Sequence, residues 1–145
     1  MKFLIINWPN LNFLGIREPE IYGKRDFGAL IALCEQTCSE NGIECETYQS
    51  NHEGDIVDRI QAAYGKIDGI VINPAAYTHT SVAIPDALKA VGIPTVEVHL
   101  SDINAREEFR RRSFVSPVAV KTICGKGFDG YVEAILYLKE YLEKS

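Results

Sequence analysis

A chain of 145 residues, 46% apolar and 24% charged, has the make-up of one domain, residues 1–145, with a packed core. Its formal net charge of −5 and the lack of any lysine–arginine stripe exclude a nucleic-acid partner from the expectation. The densest basic cluster, "REEFRRR" (106–112), is interrupted by Glu107 and Glu108 and suits a small anion better than a polymer.

The opening "MKFLIIN" has too few apolar residues for a signal peptide, and no later run approaches a membrane span, so a cytoplasmic protein with reduced thiols is expected. "KFLII" (2–6) reads as the first strand. The stretch after it, "NWPNLNFLGIREPEIYG" (7–23), is far longer than the usual strand-to-helix connection of about two to six residues and is rich in polar groups. Asp26 is placed to cap a helix whose apolar stripe is Phe27, Leu30, Ile31, Cys34 and Cys38, with Gly42 ending it. Cys34 and Cys38 share that helix face and read as packing; no further ligand at matching spacing suggests a metal.

Residues 43–49 alternate as a half-buried strand, and 53–65 read as a helix with Ile56, Ile60, Ala63 and Tyr64 inward. "DGIVIN" (68–73) is nearly all apolar, as in the middle of a parallel sheet. "THTS" supplies N-cap candidates in Thr78, Thr80 and Ser81 for a helix over 82–92, and Pro85 requires that helix to start near 82–84. Residues 94–100 and 117–124 read as the fourth and fifth strands, and 128–144 as a closing helix with Tyr131, Ala134, Ile135, Leu138 and Leu142 on one face.

This is the pattern of five strand–helix units, hence an α/β fold: a flavodoxin-like, doubly wound five-stranded parallel sheet of order 2-1-3-4-5 by analogy. Ligands of such sheets bind beyond the C-terminal strand ends where the winding reverses. The ends of strands one, three and four carry Asn7 to Asn10, Asn73 with His79, and His99 with Ser101, while His52 follows an edge strand and is peripheral. Singly, each has a plainer use: Asn73 as a turn cap, His79 as a surface residue. Their convergence on one rim favours a site. "GKGFDG" (125–130) matches G-x-G-x-x-G, but only one helix follows it, so it reads as a tight turn and not a dinucleotide site. With no phosphate-loop, zinc-protease or nucleophile-elbow motif, side chains alone must act, and proton transfer is the natural chemistry.

The blocks "PNLNFLGIREPEIYG", "QSNHEGDIVDRIQ", "NPAAYTHTSVAI" and "EVHLSDINAREEFRRRSFVSPVA" resemble type II 3-dehydroquinate dehydratase over nearly the whole chain. The resemblance implies conversion of 3-dehydroquinate to 3-dehydroshikimate in aromatic amino-acid biosynthesis, without cofactor or metal, by a homo-oligomer: a dodecamer built from trimers. It implies Tyr22 as the base, Arg17 as its stabilising cation, Asn10 as a holder of the enolate, His99 as the acid and Glu97 as its orienting partner. It further implies that Leu100, Ser101, Asn73, His79 and Arg110 bind the substrate, that Asp86 reaches it across the trimer interface, and that residues from about 8 to 25 form an active-site lid.

The chemistry agrees. A free tyrosine, pKa about 10, is only about one part in a thousand ionised at pH 7. A neighbouring cation lowers a pKa by about one to three units, so Arg17 would supply much of the deficit. Three residues depart from the pattern. Trp8 stands where the family usually has glycine, and its indole is expected to crowd the rim or pack outward against a neighbour. Pro85 precedes Asp86, and Asp102 replaces a common asparagine, placing negative charge beside Ser101. Two other readings stay open: a non-catalytic flavodoxin-type module for flavin or nucleotide, and a catalytically weakened family member.

Overall fold

Every residue of the strand Gly69–Asn73 is buried, and this strand (β3) stands at the centre of the sheet. In the computed structural model, which describes residues 1–16 and 26–145, five parallel strands run in the order β2-β1-β3-β4-β5. The others are β1 (Lys2–Asn7), β2 (Glu44–Gln49), β4 (Thr95–His99) and β5 (Lys121–Cys124). Alternate residues of β1, β3 and β4 feed opposite faces, as the two-residue period of a strand requires. Phe3, Ile5, Val71, Val96 and Val98 pack with helices α1 (Phe27–Glu40) and α4 (Asp129–Glu143). Leu4, Ile6, Ile70 and Ile72 pack with α2 (Glu53–Ala62) and α3 (Ala83–Val91). Burial on both faces is why these strands read as continuous apolar runs.

The flavodoxin-like order is therefore the one expected, with the winding reversing at β1 and β3, where Asn7 and Asn73 are register partners. Gly69 lets α4 sit this close: a Cβ there would fall 2.6 Å from Leu138 Cδ2 and 3.1 Å from Phe3 Cε1. Asp26 caps α1 by accepting the Ala29 N–H at 2.8 Å. Cys34 and Cys38 lie in the core beneath α1, and burial pushes the Cys34 thiol up to about 12. No described helix is long and apolar enough to cross a membrane.

Several expectations need correction. Trp8 neither crowds the rim nor faces a neighbour. It is 0% exposed and, sharing the parity of Leu4 and Ile6, points into the α2/α3 face, edge-on to Tyr77 at 5.2 Å between ring centroids. Tyr64 is 70% exposed because α2 ends at Ala62 and the chain turns before the helical period could bring the ring inward. Between β4 and β5 the described chain has no α-helix, only 3-10 turns at Ile103–Ala105, Glu108–Arg110 and Ser116–Val118. Pro117 belongs to the last of these, so β5 begins at Lys121 and not near residue 117. Of the three N-cap candidates, Ser81 does the work: its Oγ accepts the Ile84 N–H at 3.2 Å, and Pro85 falls in the first turn of α3.

Candidate active site

The carboxyl ends of β1, β3 and β4 open onto one pocket, whose walls include Asn10, Asn73, His79, His99, Leu100, Ser101, Arg106 and Arg110. Its floor is set by β4. Glu97 and His99 are two residues apart on the strand, so both project to the same face. Glu97 is 0% and His99 5% exposed, and His99 Nε2 contacts Glu97 Oε2 directly. The carboxylate also accepts from Ser116 Oγ (2.7 Å to Oε1), Ser113 Oγ (2.8 Å to Oε2) and Thr122 Oγ1 (3.3 Å to Oε1). Burial on its own would raise the Glu97 pKa; the hydrogen bonds from His99, Ser116 and Ser113, with the charge of His99, outweigh it and hold the carboxyl below its ordinary value. A buried carboxylate kept ionised beside an imidazole orients the ring by accepting its N–H.

His79 Nδ1 lies 2.7 Å from the Arg112 carbonyl oxygen and must donate to it. Its pKa is lowered, first by burial and then by His99 and Arg110, against the opposing pull of that carbonyl and Glu97. Neutral His79 therefore carries its proton on Nδ1 and leaves Nε2 as an acceptor. Across the pocket Arg106 Nη1 is 3.4 Å from Ser101 Oγ, and Arg110 Nε is 2.9 Å from Glu107 Oε2. Arg106 and Arg110 both line this wall, and guanidinium groups suit an anion.

Three turns hold these groups. Asn10 adopts a left-handed backbone (φ 68°) and its N–H donates to Asn51 Oδ1 at 3.1 Å, tying the start of the long loop to the end of β2. Asn73 Oδ1 accepts the Ala75 N–H at 3.1 Å, so the turn-cap use and the pocket position belong to one residue. Behind Leu100 and Ser101, the Gly125 N–H donates to the carbonyls of His99 (3.3 Å) and Ser101 (3.1 Å), and the Gly127 N–H to that of Leu100 (3.1 Å). The glycine motif of residues 125–130 thus forms a tight turn that braces the pocket wall, with Gly125 at φ +77° against Asp102.

The described pocket brings together Asn10, Asn73, His79, His99, Leu100, Ser101 and Arg110, with Glu97 behind His99. Asp86 is exposed on the first turn of α3 and is not part of its own chain's pocket. Arg17 and Tyr22, and the part of the expected lid from residue 17 to 25, lie outside the described residues. Asp102 is turned to its own chain, its Oδ1 accepting the Asn104 N–H at 3.0 Å. Arg106, Asn51, Ser113, Ser116, Thr122 and Tyr131 were not singled out from the sequence as site residues. Arg106 sat in the basic cluster already noted. The hydroxyls around Glu97 gave no signal, because they reach it from 16 to 25 residues away.

The family model described as Dehydroquinase class II matches residues 1–139. A 3-dehydroquinate dehydratase of Clostridium acetobutylicum is 56% identical over 144 residues, spanning 99% of this chain and 100% of that protein. One from Geotalea daltonii is 51% identical over 144 residues, with coverage of 99% and 100%. Among solved structures, the type II dehydroquinase of Butyrivibrio crossotus superposes with a TM-score of 0.94 at 54% identity, covering 96% of this chain and 97% of that one.

Proposed function

The chain belongs to the class II dehydroquinase family, and from that premise we propose that it is a hydro-lyase that eliminates water from 3-dehydroquinate to give 3-dehydroshikimate in the shikimate pathway, using its own side chains. The observation that carries the proposal is the buried Glu97–His99 pair at the foot of a pocket walled by arginines. It supplies a held proton donor beside a place for a carboxylate.

The substrate has an acidic C–H next to its ketone and a hydroxyl one carbon further on. Tyr22 takes the C–H proton as phenolate, with Arg17 favouring that ionised state. The electron pair moves into the ketone as an enolate, which Asn10 helps hold. His99 then gives its proton to the hydroxyl, which leaves as water while the carbon–carbon double bond forms. Tyr22 ends protonated and His99 deprotonated, and one proton returning through solvent resets the site. Ser101 and the Leu100 backbone take the substrate carboxylate; Asn73, His79 and Arg110 take its remaining oxygens. Trp8, Leu11 and Leu14 are buried in the core, so the lid expected over residues 8–25 is narrowed to the part of the loop beyond Leu14, whose closure over the substrate removes water and strengthens the Arg17–Tyr22 interaction.

The same reading makes the protein a cytoplasmic homo-oligomer, a dodecamer of trimers in which Asp86 serves a neighbour's pocket. Its exposed place on α3, away from its own pocket, supports this. Sedimentation should give a species of trimer mass or a multiple of it; a monomer at micromolar concentration would remove Asp86 from the site. Proton NMR of 3-dehydroquinate with purified protein tests the reaction. A vinyl signal should grow as the substrate fades, and an unchanged spectrum with folded protein would overturn the reading.

A further inference from the structure

Beneath the pocket, Tyr131 reaches from α4 between two amides that face each other across adjacent strands, Asn7 and Asn73. Asn7 and Tyr131 are 0% exposed and Asn73 is 3% exposed. One backbone group sets the direction of every hydrogen bond in this set. The Ala75 N–H donates to Asn73 Oδ1 at 3.1 Å, which turns the amide nitrogen the other way, and Nδ2 donates to the Tyr131 hydroxyl oxygen at 2.9 Å. That oxygen still has its own proton to place, and a buried phenol needs an acceptor for it. Asn7 Oδ1 receives it at 2.6 Å. Burial pushes the Tyr131 phenol well above its usual range, so the proton stays on it across the working pH.

An amide nitrogen carries two hydrogens. Tyr131 takes one from Asn73, and Asn73 itself lines the pocket. The geometry points to Tyr131 as a positioning residue for the dehydration: the Ala75 N–H sets the polarity of the Asn73 amide, and Tyr131 anchors its nitrogen by taking one hydrogen, so that the substrate meets the other as an N–H donor, suited to a carboxylate or hydroxyl oxygen. This rests on the dehydratase reading and on Asn73 as a substrate ligand. Tyr131 touches neither substrate nor the reacting atoms, and its effect passes through Asn73.

Steady-state kinetics with 3-dehydroquinate, beside thermal melts of the same samples, test it. Tyr131→Phe keeps the ring and deletes the hydroxyl. KM should rise about five- to tenfold with kcat within about twofold, the pattern of a lost binding interaction. In an Asn73→Ala background the same change should leave KM where Asn73→Ala alone put it. Asn7→Ala, which keeps Tyr131 but removes its acceptor, should raise KM by more than about threefold, and it serves if the Phe variant does not fold. An unchanged KM with a lowered melting temperature would make Tyr131 a purely structural residue and overturn the inference. So would an equal rise in KM with and without Asn73. Failure of the dehydratase reading looks different: the unmodified protein then turns over no 3-dehydroquinate, and the inference falls with it.

Discussion

Replacing Glu97 by glutamine separates the two tasks of that carboxylate. The wild-type group accepts hydrogen bonds from Ser113, Ser116 and Thr122 and contacts His99 Nε2. In Glu97→Gln one oxygen still accepts from the hydroxyls, which can rotate to suit the new group. The amide NH2 facing His99 reverses the remaining contact, because the imidazole nitrogen must now accept. His99 is then held neutral and loses the proton it would give. One charge-assisted hydrogen bond is lost, costing roughly 1–3 kcal/mol. At about 2–4 °C per kcal/mol for a chain of this size, the melting temperature should fall by roughly 2–12 °C. Loss of a general acid should cost about 10²- to 10⁴-fold in kcat. Glu97→Ala, which takes the shared acceptor from the Ser113 and Ser116 hydroxyls and the His99 imidazole while Thr122 keeps Ser116 Oγ at 3.1 Å, should cost about 3–5 kcal/mol and serves as the structural extreme. Initial rates at saturating substrate and circular-dichroism melts on the same samples give both quantities. A Glu97→Gln protein with near-normal kcat and the expected fall in melting temperature would refute the acid-support role and leave Glu97 as a packing element.

Other consequences are equally direct. Gly69→Ala forces a methyl group against Leu138 and Phe3 and should cost about 1–3 kcal/mol in urea unfolding; a neutral effect would mean that α4 slides freely on the sheet. Gly125→Ala adds a side chain at φ +77° and 3.2 Å from Asp102 Cβ, so beyond a cost of about 1–3 kcal/mol it should raise KM by displacing the Leu100–Ser101 wall; an unchanged KM would sever that link. Trp8→Ala should open a cavity between the sheet and α2/α3 at about 3–5 kcal/mol, measured by denaturant titration, whereas a loss below about 1 kcal/mol would contradict its burial. His79 and Glu97 both have depressed pKa values, so each binds fewer protons folded than unfolded. Their contributions are full above the unfolded values, and His79's fades below about pH 6.5 and Glu97's below about pH 4.5. The urea midpoint should therefore fall on acidification, and a rise between pH 7 and 4 would show that the signs are wrong.

The fold was legible because its signals are local. The buried run at β3, the Asp26 cap and the first-turn place of Pro85 each follow from a few neighbouring residues. Trp8, expected at the rim or against a neighbour, misled because it lies one residue past the end of β1 yet keeps the parity of Leu4 and Ile6 into the apolar face. Tyr64 misled because helical periodicity was carried past the last helical residue. Within the site, strand ends pointed to Asn73 and His99 because topology alone assembles them. The Ser113 and Ser116 hydroxyls on Glu97 and the Tyr131 bridge were not legible. They depend on the path of an irregular connection and on a helix that meets the sheet 58 and 124 residues away in sequence.

The central claim is that these side chains remove water from 3-dehydroquinate unaided. The product is a conjugated enone-carboxylate, so the ultraviolet trace of purified protein with 3-dehydroquinate, after dialysis against a metal chelator, tests it most directly. A steady rise in absorbance that Tyr22→Phe abolishes while still binding substrate is the predicted result. A flat trace from folded, unmodified protein, or full activity in Tyr22→Phe, would contradict the account.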